Sequence, residues 1–236
     1  MRYAIVNGEK SEPQPKQRGR CSYCDSEMIA KCGRHMVWHW AHKSRDMCDP
    51  WWENETLWHR EWKDNFPMEW QEVTHTDDNT GERHIADVKN PFGLVIEFQY
   101  SPMSAVERES REDFYENMIW VVNGTKGLNK DYFNMGLCGP IQDNPLAYSV
   151  EWWSKSRLLH NWSESKVKVY IDFEGNELWR LVLYDPETKR GVVGPISKKA
   201  FIEDCTKGKD ISVASLPEGS DSTEFQIPRF VEVGQD

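Results

Sequence analysis

Two carboxylates and an amide fall on neighbouring predicted strands near the middle of the chain. Asp87 lies at the end of a predicted strand at residues 83–88, and Glu97 and Gln99 lie in the next one, at 94–100. Because side chains alternate along a strand, Glu97 and Gln99 share one face, and Asp87 lies across the turn from them. Polar groups in so apolar a segment cost free energy unless a partner satisfies them. Oxygen ligands of this kind suit a hard divalent cation.

A second polar group precedes these strands on a predicted helix at residues 51–66. Glu55, His59 and Lys63 are spaced four residues apart and so share one helical face. Trp58 and Trp62 form a neighbouring stripe that is expected to pack on the sheet. The polar stripe either faces the carboxylate pair as part of a site or forms a solvated face with i,i+4 pairs.

A cluster of Cys and His near the N-terminus has the spacing of a metal site. Cys21 and Cys24 are separated by two residues, and His39 and His42, also two residues apart, follow after fourteen more. Four nitrogen and sulfur ligands suit tetrahedral Zn²⁺ in a closed, structural site. Cys32, His35 and Cys48 are further candidates, and the alternative is a set of buried thiols and a core histidine.

The elements that position these residues predict an α/β fold with a mixed sheet flanked by helices. The order is helix, three strands, helix (103–117) and a short strand (118–123). Further along, the pattern predicts a helical segment at 147–162, a β-hairpin formed by 167–173 and 178–185, and a short helix at 197–205. We divide the chain into an N-terminal strand and zinc-binding module (1–48), a core (49–125) and a C-terminal extension (126–236).

The composition limits the classes of function. Lys and Arg total 29 against 39 Asp and Glu, which gives a net charge of −10. This balance disfavours a protein that coats DNA non-specifically, although a nuclease can hold positive charge locally. The longest apolar run is too short to cross a bilayer, and the N-terminus lacks the features of a signal peptide. The expected location is the cytoplasm, with no membrane partner, and a reducing compartment favours metal over disulfides for the clustered Cys.

Several of these motifs together resemble the competence protein CoiA-like nuclease family. Asp followed by Glu-x-Gln on adjacent strands after an acidic helix resembles the PD-(D/E)XK superfamily, with Gln99 where that superfamily has Lys. The resemblance covers residues 1–125 and rests on five elements in order: Cys21-x2-Cys24, His39-Trp40-Ala41-His42, Glu55-x3-His59-x3-Lys63, Arg83-x2-Ala86-Asp87-Val88 and Ile96-Glu97-Phe98-Gln99-Tyr100-Ser101.

The resemblance implies a restriction-endonuclease-like core and a metal-dependent DNA nuclease that processes incoming or recombining DNA. Asp87 and Glu97 would bind Mg²⁺ or Mn²⁺, and Glu55 would hold a second ion or relay the water. His59 would act as acid or base, and Lys63 or Arg83 would contact phosphate. Gln99 can orient water or phosphate by hydrogen bonds but supplies no charge.

Other interpretations of the sequence stay open. Arg18 and Arg20, in a basic loop beside the zinc module, could follow a DNA backbone, or the loop could simply be solvated. The protein could be a catalytically weak member that binds DNA or a recombination protein, since Gln replaces Lys. It could also be an acidic protein that binds a basic partner or inhibits it. The sequence does not indicate an oligomeric state.

Overall fold

A computed structural model describes residues 1–43, 48–51, 53–126, 128, 130–141 and 144–211. Within these residues the chain forms a five-stranded antiparallel sheet and a nine-stranded mixed sheet. None of the helices in these ranges combines the length and the apolar character that crossing a bilayer requires.

The small sheet contains the N-terminal module. Its strands are β1 (Ala4–Val6), β2 (Glu9–Ser11), β3 (Arg18–Arg20), β4 (Glu27–Lys31) and β5 (His39–His42), in the spatial order β2-β1-β3-β4-β5. Asn7 and Gly8 both have positive φ, as expected for a two-residue hairpin turn. The hydrophobic core cluster of the module is small, with four buried members: Ala4, Cys21, Met28 and Trp40.

The first half of the large sheet confirms the predicted order of helix, three strands, helix and strand. The elements are α1 (Leu57–Lys63), β6 (Gln71–Thr76), β7 (Arg83–Lys89), β8 (Val95–Gln99), α2 (Ala105–Phe114) and β9 (Met118–Asn123). Strands β6, β7 and β8 are antiparallel neighbours, and β9 pairs with β8 in parallel. Helix α2 therefore forms the crossover between two parallel strands.

The second half continues the same sheet. It contains α3 (Lys130–Gly136), β10 (Leu137–Ile141), β11 (Asn144–Glu151), α4 (Arg157–Ser163), β12 (Lys168–Asp172), β13 (Glu177–Asp185), β14 (Arg190–Ser197) and α5 (Lys198–Lys207). The predicted hairpin and final helix are present. However, β12 pairs in parallel with β9, so the hairpin is an inner part of the sheet. Strands from both sides of residue 125 therefore belong to one sheet.

Two predicted helices differ from the structure. The helix predicted over 51–66 begins only at Leu57, because the Thr56 side chain accepts a hydrogen bond from the His59 backbone and caps it. The segment predicted as helical over 147–162 contains the end of β11 and then α4. Pairing of β11 with β14, a strand that the sequence pattern did not indicate, outweighs the local helical preference.

Helix α1 is fixed to the sheet by its tryptophans, as predicted. The rings of Trp58 and Trp62 both contact Phe98 of β8. Both indole N–H groups donate to Asp172 Oδ2 on β12, at 2.9 and 2.8 Å, and Asp172 also pairs with Lys198. This contact sets the orientation of α1, and with it the position of the polar face that carries His59 and Lys63.

Candidate active site and metal centre

The six predicted catalytic side chains line one cavity of about 530 Å³. The cavity lies between the N-terminal module and the large sheet, beside α1 and the adjoining parts of β7 and β8. A segment that we call the strap, residues 48–56 with residue 52 not described, forms part of its wall. The predicted residues in the lining are Glu55, His59, Lys63, Asp87, Glu97 and Gln99.

Asp87 and Glu97 lie where the hairpin of β7 and β8 opens. The backbone ladder between these strands reaches Val88 opposite Ile96. Beyond that pair, side-chain oxygens take over as acceptors: Phe98 N donates to Asp87 Oδ2 and Asp87 N donates to Glu97 Oε1, each at 3.0 Å. Each carboxylate is thereby held by a fixed backbone donor, which aligns the two groups.

The electrostatics of this pair favour an added cation. Burial raises the pKa of Glu97 to about 8, and the negative charge of Asp87 adds to the effect. Arg111 opposes it, with Nη1 3.1 Å from Glu97 Oε2. The Asp87 side chain is 25% exposed, so it is open to the cavity. A divalent cation between the two carboxylates would offset their repulsion.

Lys63 and Glu55 add a second group of charges. Lys63 Nζ lies 2.8 Å from Glu55 Oε2, 3.1 Å from Glu72 Oε1 and 3.7 Å from Asp87 Oδ1. Desolvation alone would lower the pKa of Lys63, but the surrounding carboxylates raise it. Among the residues that the structure describes, Glu55 Oε1 is buried without a hydrogen-bond partner, and Arg60 Nε lies 3.7 Å from it. An orphaned buried carboxylate oxygen is costly, and it fits a ligand for a metal ion.

His59 and Gln99 are both already engaged. The Thr56 backbone N–H donates to His59 Nδ1 at 3.2 Å, so Nδ1 is an acceptor and His59 Nε2 donates to Glu53 Oε2 at 3.1 Å. Gln99 Nε2 donates to the carbonyl of Ser101 at 2.8 Å. These contacts give His59 a part in capping α1. Gln99 Oε1 has no hydrogen-bond partner among the described residues.

Three acidic residues of the site escaped the sequence analysis. Glu53 accepts hydrogen bonds from the backbone N–H groups of Tyr100 and Ser101 and so fixes the strap to the end of β8. Asp49 fixes the strap to β7 in a similar way, because its Oδ2 accepts a hydrogen bond from the Ile85 backbone N–H at 2.6 Å. Glu72 was overlooked because it lies in a predicted strand with no motif around it. The contacts of Glu53 and Asp49 also explain why the strap is not helical.

We expect the buried carboxylate of Glu72 to make the folded protein less stable in acid. Burial would raise its pKa, but Lys63 and the backbone N–H groups of Arg2 and Tyr3 lower it to about 2. Between pH 4.5 and 2 the unfolded state therefore binds more protons, so the free energy of unfolding falls by about 3 kcal/mol as the pH drops through this window. Chemical denaturation should show this loss in the wild type and in the exposed control Glu69→Gln. A Glu72→Gln variant that loses as much as the wild type would contradict the assignment.

The N-terminal module brings four metal-ligating side chains together. The ligand atoms of Cys21, Cys24, His42 and Cys48 all lie within 4.8 Å of one another. Cys24 Sγ is 3.4 Å from His42 Nε2, and Cys21 Sγ is 3.9 Å from Cys48 Sγ. Zn–S bonds of about 2.3 Å in a tetrahedron place sulfur atoms about 3.8 Å apart. The residues therefore fit a structural zinc site.

The structure brings Cys48, rather than the predicted ligand His39, into the cluster. His39 and His42 lie on strand β5, and residues three apart on a strand point to opposite faces. Both histidines line the cavity, but only the His42 ring reaches the thiols of the cluster, whereas His39 Nδ1 lies 2.8 Å from the carbonyl of Val37. Cys48 begins the strap, so the metal site and the cavity share a segment of chain.

The residues predicted to bind DNA lie outside the cavity lining. Arg18 pairs with Glu27 and Arg20 with Asp25 on the surface of the small sheet. Arg83 lies over the ring of Tyr23, 5.0 Å from its centroid. Their role in DNA binding stays a prediction.

Comparison with known proteins identifies the N-terminal module. Residues 8–50 match the family model of the competence protein CoiA N-terminal domain. The matched segment includes all four members of the metal cluster and supports membership of the CoiA family, although it spans less than one fifth of the chain. It suggests a role related to competence. No curated protein and no solved structure matches the chain.

Proposed function

We propose that this chain is a Mg²⁺- or Mn²⁺-dependent deoxyribonuclease that acts on incoming, recombining or foreign DNA. The observation that carries the proposal is the convergence of Glu55, Asp87 and Glu97 on one cavity. One buried Glu55 oxygen has no hydrogen-bond partner in the described part of the chain, and the pKa of Glu97 is raised. Carboxylate oxygens are typical ligands of Mg²⁺ and Mn²⁺.

The order of elements also supports the proposal. Helix α1, the antiparallel strands β6, β7 and β8, helix α2 and the parallel strand β9 follow the order expected for a PD-(D/E)XK-like core. The acidic residues occupy the second and third strands, and Gln99 follows two residues after Glu97. We therefore assign the chain to a restriction-endonuclease-like fold as part of this proposal.

In the proposed reaction, Asp87, Glu97 and Glu55 would hold the metal ion. Such an ion would supply stabilisation of charge on the scissile phosphate and would lower the pKa of the attacking water. Lys63, which reaches Asp87 from helix α1, supplies the positive charge that a neutral Gln99 cannot. Gln99 Oε1 is an acceptor that can orient water. Arg111 holds Glu97 in place.

The test is a cleavage assay on labelled single- and double-stranded DNA. We expect cleavage with Mg²⁺ or Mn²⁺ and none without added divalent ion or with EDTA, with zinc content measured after each incubation. Loss of activity while zinc is retained would separate the catalytic ion from the structural one. Equal cleavage with and without divalent ions would contradict the proposal.

One observation favours a second candidate, a DNA- or recombinase-binding protein with weak or no catalysis. Lys63 and Arg111 already neutralise much of the carboxylate cluster, and Gln99 stands where the superfamily has Lys. DNA binding without cleavage in the same assay would support it, and a protein complex formed without DNA would support an interaction or inhibitor protein. A cytoplasmic location, and DNA and a recombination protein as partners, stay predictions.

A further inference from the structure

The turn between β4 and β5 stands at the entrance of the cavity. We call residues 32–38 the hairpin tip. The residues flanking it, Lys31 and His39, face each other across the ladder and line the cavity together with Met36 of the tip. Arg60 of α1 donates a hydrogen bond to the carbonyl of Trp38, and Arg60 Nε also lies near Glu55. The tip is therefore attached to the wall that carries the candidate metal ligands.

The segment around the hairpin tip carries positive charge, whereas the whole chain is negatively charged. Residues 28–45 contain four Lys or Arg and three His but no Asp or Glu, in a protein of net charge −10. Lys31 and Arg34 have no carboxylate partner among the residues that the structure describes, in contrast to Arg18 and Arg20. Two uncompensated cations at the entrance of an acidic cavity are suited to phosphate groups rather than to a cationic ligand.

The tip also exposes large apolar side chains. Met36 is 64% and Trp38 is 43% exposed. The Trp38 indole N–H donates to the carbonyl of Gly33 at 3.2 Å, which holds the ring on the tip. A fixed, exposed aromatic ring between cations is the arrangement by which proteins stack on unpaired bases while contacting the backbone.

We propose that the hairpin tip binds single-stranded DNA at the entrance of the cavity, with Lys31 and Arg34 on phosphates and Trp38 and Met36 against an unpaired base. This inference rests on the proposed function, because it names the substrate of the same site. A base inside a duplex offers no free face to Trp38. The cations predicted to follow a duplex, Arg18 and Arg20, are already paired with carboxylates.

The test measures binding without cleavage, so its failure can be distinguished from a failure of the nuclease proposal. Fluorescence anisotropy with a labelled 20-nucleotide oligothymidylate and with a duplex of the same length is recorded in Ca²⁺ over a range of salt. Trp38→Ala should weaken single-strand binding about five- to a hundredfold, as expected for one stacked base, and leave duplex binding unchanged. Lys31→Gln with Arg34→Gln should reduce the salt slope on the single strand by about 1.4.

The chain offers a matched control surface. Trp153, 53% exposed, has Lys155 and Arg157 nearby and lies just beyond β11, five strands away from β8. Trp153→Ala with Lys155→Gln and Arg157→Gln should bind single strands like the wild type. Met36→Ala serves as a second tip variant, and zinc content and thermal unfolding check that each variant is folded.

The outcomes separate the two proposals. Tip-dependent binding without any cleavage would support this inference and contradict the nuclease. Cleavage of single strands by tip variants at the wild-type rate, with unchanged affinity, would overturn this inference alone. If the Trp153 variant lost single-strand binding while the hairpin-tip variants kept it, the inference would also be overturned. The same holds if the wild-type protein does not bind single strands.

Discussion

Asp87→Asn should abolish divalent-ion-dependent cleavage, lowering the rate at least about 10³-fold. Asparagine keeps an oxygen that can accept from Phe98 N, so the opened hairpin of β7 and β8 should persist. It removes the negative charge that would hold the metal ion, and such an ion supplies several kcal/mol of charge stabilisation to the transition state. The measurement is the cleavage rate at saturating Mg²⁺ or Mn²⁺, with thermal unfolding as a check on folding.

Asp78→Asn is the matched control for this variant. It makes the same change of charge at an exposed residue in the turn between β6 and β7, and it should cleave like the wild type. Glu97→Gln should behave like Asp87→Asn. Wild-type rates in both Asp87→Asn and Glu97→Gln would show that these carboxylates do not hold a catalytic ion.

Cys21→Ser should remove zinc from the protein and unfold the N-terminal module. The apolar core of that module is small, and a structural zinc site contributes on the order of 10 kcal/mol, as much as the stability of many domains. Because Cys48 precedes Asp49, which is bound to β7, loss of the metal should also release the strap and lower cleavage. The measurements are zinc content, thermal unfolding and activity.

Three further variants make the zinc assignment specific. Cys32→Ser changes a nearby free thiol outside the cluster and should keep stoichiometric zinc. His42→Ala should lose zinc, whereas His39→Ala should keep it, since only His42 faces the thiols. Zinc loss in His39→Ala with retention in His42→Ala would reverse the ligand assignment.

Much of the cavity could be predicted because its residues are arranged by local periodicity. The shared face of His59 and Lys63 follows from helical spacing, and the approach of Asp87 to Glu97 follows from a short hairpin. Glu53 and Glu72 could not be predicted in this way. Glu72 binds backbone groups of Arg2 and Tyr3 about seventy residues away, and no local pattern specifies such a contact.

The fold could likewise be predicted where it depends on local sequence patterns, and not where it depends on the pairing of distant strands. The order from α1 to β9 follows from patterns of hydrophobicity, but the parallel pairing of β9 with β12 joins Trp120 to Val169, and that pairing is set by tertiary packing. The zinc ligands show the same limit. Spacing alone favoured His39 over Cys48, because the sequence did not reveal that His39 and His42 lie on a strand.

Anomalous diffraction from crystals soaked in Mn²⁺ tests the central claim most directly. The account predicts a manganese ion in the cavity, bound by carboxylate oxygens of Asp87 and Glu97, with Glu55 directly bound or linked through water, at distances of about 2.1 Å for direct ligands. The same crystals of Asp87→Asn should lack it. A cavity without manganese in the wild type, at concentrations that support cleavage, would contradict the account.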